Sequence, residues 1–130
     1  MRNKGWVIIL STILVVMTGA ISVDETVTYY THFGLAKSVP EAESRVPPPS
    51  TIQLWFTQIP QDNSVAIRLI DPAGDLIETG LSMQSAEDQK AFNIEVKASL
   101  GTGAYTVAWR GIGDDGHVAR GDFSFSVDVR

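Results

Sequence analysis

Polar and apolar residues alternate with a period of two through most of the chain beyond Ser50. In "TIQLWFTQI", Ile52, Leu54 and Phe56 fall on one side and Gln53, Trp55 and Thr57 on the other, the pattern of a half-buried strand. "SVAIRLI" groups Val65, Ile67 and Leu69, and Asp71-Pro72-Ala73-Gly74 then supplies the residue types of a tight turn leading to Leu76 and Ile77. A hairpin is predicted there. Alternation returns with Phe92, Ile94 and Val96, again with Tyr105, Val107 and Trp109, and finally with Phe123, Phe125 and Val127. An earlier strand is predicted to begin near Leu35, and Pro47, Pro48 and Pro49, which cannot serve a central ladder, mark a connection after it. The polar stretch "LSMQSAEDQKAF" reads as a loop or one helical turn.

Short alternating strands separated by turn residues, with no internal repeat, predict an all-β domain: an immunoglobulin-like antiparallel β-sandwich with Greek-key connections. Tyr105 follows "GTG" at the start of a late strand, where such sandwiches often place a tyrosine corner. The same alternation predicts that Tyr105 and Trp109 are buried and share a core with Phe123, Phe125 and Val127. Most apolar positions are accounted for in this way, as core rather than as a cofactor box.

The first residues break the pattern. "MRNKGWVIILSTILVVMTGAISV" begins with Arg2 and Lys4, runs through uncharged apolar residues and reaches the small residues Thr18, Gly19, Ala20 and Ser22. Residues 1–22 therefore read as a secretory signal peptide or, if retained, as an N-terminal membrane anchor. Either reading exports the domain that follows. Without Arg2 and Lys4, eight of the ten basic residues remain against fifteen acidic ones, a net charge of −7. That sign disfavours nucleic acid as a partner, and no acidic run or basic patch along the sequence suggests a charged tail or binding to a lipid surface. With no cysteine, a metal site would need imidazole, carboxylate, thioether, backbone or water ligands.

The chain has two histidines, His32 and His117. Asp115-Gly116-His117 lies between two predicted strands, so both side chains belong to a loop at one end of the sandwich, where binding residues concentrate. Read locally, the segment is equally an Asp-Gly turn with a solvated histidine, and His32 alone is uninformative.

Two longer stretches are similar to the CopC-type copper-binding proteins. "HFGLAKSVPEAESRVPPPSTIQLWF" carries the family's opening pattern at His32, Leu35, Ser38, Pro40, Trp55 and Phe56. "GTGAYTVAWRGIGDDGHVARGDFSFSV" carries its closing pattern at Gly103, Tyr105, Val107, Trp109, Arg110, Asp115, Gly116, His117, Gly121, Phe123, Phe125 and Val127. The resemblance covers residues 32–130 and implies a periplasmic copper protein, with His32, Asp115 and His117 as Cu(II) ligands. It implies a carrier or buffer in copper homeostasis or resistance rather than an enzyme, with an inner-membrane copper transport protein as a possible partner. Imidazole and carboxylate suit Cu(II).

Two features depart from the family. Relatives with a tight Cu(II) site begin at their histidine and use its α-amine, whereas residues precede His32 here. Relatives with a Cu(I) site carry a methionine-rich loop, whereas Met83 is the one methionine outside the leader. A metal-free interaction module at the membrane surface is the alternative, in which both histidines are dispensable. Hydrolysis has little support, since no "GxSxG" nucleophile elbow is present.

Overall fold

The computed structural model describes residues 32–130. The predicted leader, residues 1–22, lies outside the described residues. Eight strands form the domain, in chain order β1 (Leu35–Val39), β2 (Arg45–Val46), β3 (Thr51–Phe56), β4 (Ala66–Ile70), β5 (Met83–Gln84), β6 (Ala91–Glu95), β7 (Gly103–Ile112) and β8 (Val118–Val127). They assemble into two four-stranded sheets, ordered β1-β3-β6-β5 and β2-β8-β7-β4. The all-β sandwich expected from the alternation is the observed architecture.

The two inner faces interdigitate as the period of two requires. Ile52, Leu54, Phe56, Phe92 and Ile94 come from the first sheet, and Ile67, Leu69, Tyr105, Val107, Phe125 and Val127 from the second. Each such side chain contributes roughly 1.5–3 kcal/mol by leaving water. At one end of this core the Tyr105 hydroxyl donates to the Gly101 carbonyl at 2.8 Å. That contact is the tyrosine corner read from "GTG", and it satisfies a polar tip that the core would otherwise strand.

Four details differ from the expectations. Pairing is antiparallel except between β2 and β8, which run parallel. The chain leaves β1 in one sheet, takes the free edge of β8 in the other for two residues, and is turned back into β3 through Pro47, Pro48 and Pro49. The turn at Asp71–Gly74 forms, with Asp71 Oδ1 accepting the N–H groups of Ala73 and Asp75. Its returning arm meets β4 through the Ile70–Leu76 bridge and the Ile77 N–H bond to the Leu69 carbonyl but is too short to form a strand, and the long partner of β4 is β7. Leu76 and Ile77 are adjacent apolar residues without alternation, so only one of them can face the core, and Leu76 stays exposed. The polar stretch after Leu81 contains the two-residue strand β5 and no helical turn. Trp109 is half-buried rather than buried; its indole lies across Gly121, which has no side chain to cover it.

Candidate metal centre

β7 and β8 form a long hairpin whose tip is Gly113–His117. The Gly116 N–H donates to the Gly113 carbonyl at 3.0 Å, and the Gly113 N–H to the His117 carbonyl at 3.2 Å. Gly116 has φ +79°. This is a type I turn followed by one left-handed residue. Nothing crowds the position where a Cβ at Gly116 would lie, so glycine is needed there for its backbone angle alone.

The turn aims Asp115 at its neighbour. Asp115 Oδ1 accepts the His117 backbone N–H at 3.0 Å, and Oδ2 lies 2.9 Å from His117 Nδ1. The His117 N–H foremost, offset by some desolvation and reinforced by the His117 ring and by the charge of His32, holds the Asp115 carboxyl below its ordinary range. An ionised carboxylate only accepts hydrogen bonds, so in a bond between this pair Nδ1 is the donor. The side chain of His117 is 87% exposed and that of Asp115 50%. A solvated ion therefore reaches both directly.

His32 is placed by its neighbours rather than by its own ring. Its carbonyl accepts the Thr57 hydroxyl at 2.8 Å, the Gly34 N–H donates to the same hydroxyl at 2.9 Å, and the Thr57 N–H donates to the Gly34 carbonyl at 2.8 Å. Between these bonds, Phe33 turns into the core. It stacks on Phe56 at 4.9 Å between ring centroids and meets Trp109 edge-on at 6.4 Å.

The socket for Phe33 is made of two glycines in the hairpin. A Cβ on Gly111 would stand 2.7 Å from the Phe33 ring. One on Gly113 would stand 2.8 Å from Phe33 Cβ and 3.3 Å from Asp115 Oδ1. Phe33 and Asp115 thus crowd the same point, and the backbone of His32 is fastened beside the hairpin tip.

Of the three residues singled out in the sequence, the structure joins Asp115 and His117 directly. His32 is exposed, and among the described residues no hydrogen bond or ion pair joins it to them; its neighbour Phe33 packs against Gly111 and Gly113 of the same hairpin, and the charge of His32 acts on Asp115. Among the described residues, no group of three or more histidines or carboxylates is assembled as a metal cage. Sequence reasoning missed the anchor: Phe33, Thr57, Gly111 and Gly113 position the site without supplying a ligand. The signal was present in "HFG" and "RGIG", as an aromatic beside the histidine and small residues that make room for it.

Two facing sheets around one core, with a histidine and carboxylate loop at one end, define an immunoglobulin-like sandwich carrying an exposed polar site. The model of the CopC domain matches residues 35–128, and the chain belongs to that family. The match begins just after His32. Protein YobA of Escherichia coli strain K12 is 29% identical over 103 residues, covering 78% of this chain and 83% of that protein. Among solved structures, CopC from Methylosinus trichosporium OB3b superposes with a TM-score of 0.68 at 26% identity, over 75% of this chain and 94% of that one. PcoC, a methionine rich copper resistance protein from Escherichia coli, superposes with a TM-score of 0.66 at 28% identity, over 75% of this chain and 99% of that one.

Proposed function

We propose that the chain is an exported copper protein that binds Cu(II) at the hairpin tip through His32, Asp115 and His117 and carries or buffers the ion in the periplasm, with no turnover of its own. The observation that carries this reading is the 2.9 Å separation of Asp115 Oδ2 and His117 Nδ1. Two ligands at right angles, each about 2 Å from a metal, stand about 2.8 Å apart. The pair therefore already has the spacing of neighbouring corners in a tetragonal site. Coordination through Nδ1 requires the neutral imidazole to move its single proton from Nδ1 to Nε2, which frees the Nδ1 lone pair and the Asp115 carboxylate for the ion. The His32 side chain swings on its own rotamers from a backbone that is already fixed and supplies the second imidazole. Water completes the coordination.

Membership of the CopC family and the copper resistance role in the name of PcoC support copper as the cargo, and the apolar leader supports export. Met83 alone offers a thioether among residues 32–130, so the donor set favours Cu(II) over the softer Cu(I).

Titration of Cu(II), followed by electron paramagnetic resonance and calorimetry, tests the reading. Relative to the unaltered protein, His117→Ala and His32→Ala should each weaken binding by about tenfold or more, and affinity should fall as acid protonates the imidazoles. A protein beginning at His32 should bind more tightly, because its α-amine adds a nitrogen ligand. Equal affinity in all these proteins would rule the site out. Intact mass of the exported protein fixes both the processing position and the metal content.

A further inference from the structure

The outer face of the second sheet gathers charge that is scattered along the sequence. Arg110 on β7 stands directly opposite Arg120 on β8, and Arg68 on β4 stands opposite Ala108, two residues before Arg110 on the same face. All three arginines are exposed. With Ala66, Ala108 and Asp122 they line one shallow trough of about 540 Å³. Arg110 and Arg120 also line a smaller hollow of about 160 Å³ beside Ile112 and Val118, so the trough continues toward the hairpin tip.

Asp122, opposite Ala108 on the same face, sets one carboxylate against the three arginines, so the trough stays net positive. Among the described residues, the ion pairs join Arg45 and Arg130 to Asp128 and His117 to Asp115, and none of the three trough arginines takes part. Like charges placed opposite each other on paired strands oppose folding. The small side chains of Ala66 and Ala108 leave the floor low between the guanidiniums, which present planar forks suited to carboxylates.

We propose that this trough docks an extended, acidic segment of a partner protein, its carboxylates gripped by Arg68, Arg110 and Arg120. Charge complementarity selects that occupant. The whole chain has a net charge of −5, so an anionic membrane or a second copy of the chain repels the remaining surface, whereas a narrow acidic strand meets the basic trough alone. The apolar Ile112 and Val118 at the far end give such a strand an apolar contact. Docking there brings the partner alongside the hairpin tip, yet the proposal does not require that the tip binds metal.

A fluorescein-labelled hexaglutamate peptide, titrated by anisotropy into the metal-free exported protein, provides the test. The peptide should bind at low ionic strength and weaken steeply as salt is added. The Arg110→Gln/Arg120→Gln double variant should lose about tenfold or more in affinity, and Arg68→Gln a smaller factor. Arg45→Gln, at a distant edge, should bind as the unaltered protein does, and thermal melting checks that each variant folds. Absence of binding at low salt, or equal binding by the double variant, overturns the proposal. So does preference for phosphatidylglycerol vesicles over the peptide, which assigns the trough to lipid, or arginine-dependent self-association, which assigns it to a second copy. Because no metal is present, failure here leaves the copper reading standing, and failure of the copper titration leaves this one standing.

Discussion

The β7–β8 hairpin is built from two ten-residue strands, yet its root and its tip obey different rules. At the root, Tyr105, Val107, Phe125 and Val127 are buried between the sheets, and the Tyr105 hydroxyl closes the corner on Gly101. At the tip, Asp114 to Val118 are all exposed, and the bonds that shape them are a short turn and one carboxylate reaching its neighbour. A single pair of strands thus holds a region where side chains make the fold and a region where the fold presents side chains. Stability and binding should separate along it.

The largest effect is expected at the root. Phe125→Ala removes a ring that is 1% exposed and stacked on Tyr105, and should cost about 3–5 kcal/mol in urea unfolding. If the two regions are separable, whatever fraction remains folded should bind Cu(II) as before. Gly113→Ala attacks the junction between them. Its methyl group would meet Phe33 Cβ at 2.8 Å, and overpacking of this kind costs about 1–3 kcal/mol. Because the displaced Phe33 carries His32 with it, this variant should lose stability and copper affinity together; a loss of stability alone would show that the anchor does not serve the site.

Smaller effects sharpen the boundary. Tyr105→Phe deletes the bond to Gly101 and should lower stability by about 1 kcal/mol, leaving metal titrations unchanged. His117→Ala is the converse. At a side chain this exposed, the change in unfolding free energy should stay within about 0.5 kcal/mol, and a larger loss would mean that the Asp115–His117 pair supports the fold.

The root was legible in the sequence and much of the tip was not. A period of two fixes which residues share a face, so Ile52, Leu54 and Phe56, or Tyr105 and Val107, could be assigned to the core without coordinates. That period carries no information about what closes the end of a sandwich. Trp109 continues the alternation and was expected to be buried, but it lies over Gly121, which offers no side chain to cover it, and stays half-covered. At the tip, Asp115-Gly116-His117 could be read as a loop because turn chemistry is local. The placing of His32 beside it depends on Phe33 meeting Gly111 and Gly113, across 78 and 80 positions of chain, which no local pattern reports. The arginine trough was hidden for the same reason. No two of Arg68, Arg110 and Arg120 are neighbours in sequence, and the expectation of no basic patch, drawn from runs along the chain, is corrected by the pairing of strands.

The unusual brevity of the outermost strands has a further consequence. β2 and β5, at one edge of each sheet, are two residues long. On the other edges, β1 is irregular between Leu35 and Lys37, and the arm after the Asp71–Gly74 turn covers part of β4 through the Leu76 bridge and the Ile77 N–H bond to Leu69. Among the described residues, an incoming strand finds no long, straight row of free amide and carbonyl groups on which to grow. Chains crowded together should therefore resist edge-to-edge polymerisation and strand exchange, even though the domain is built of the structure most prone to both.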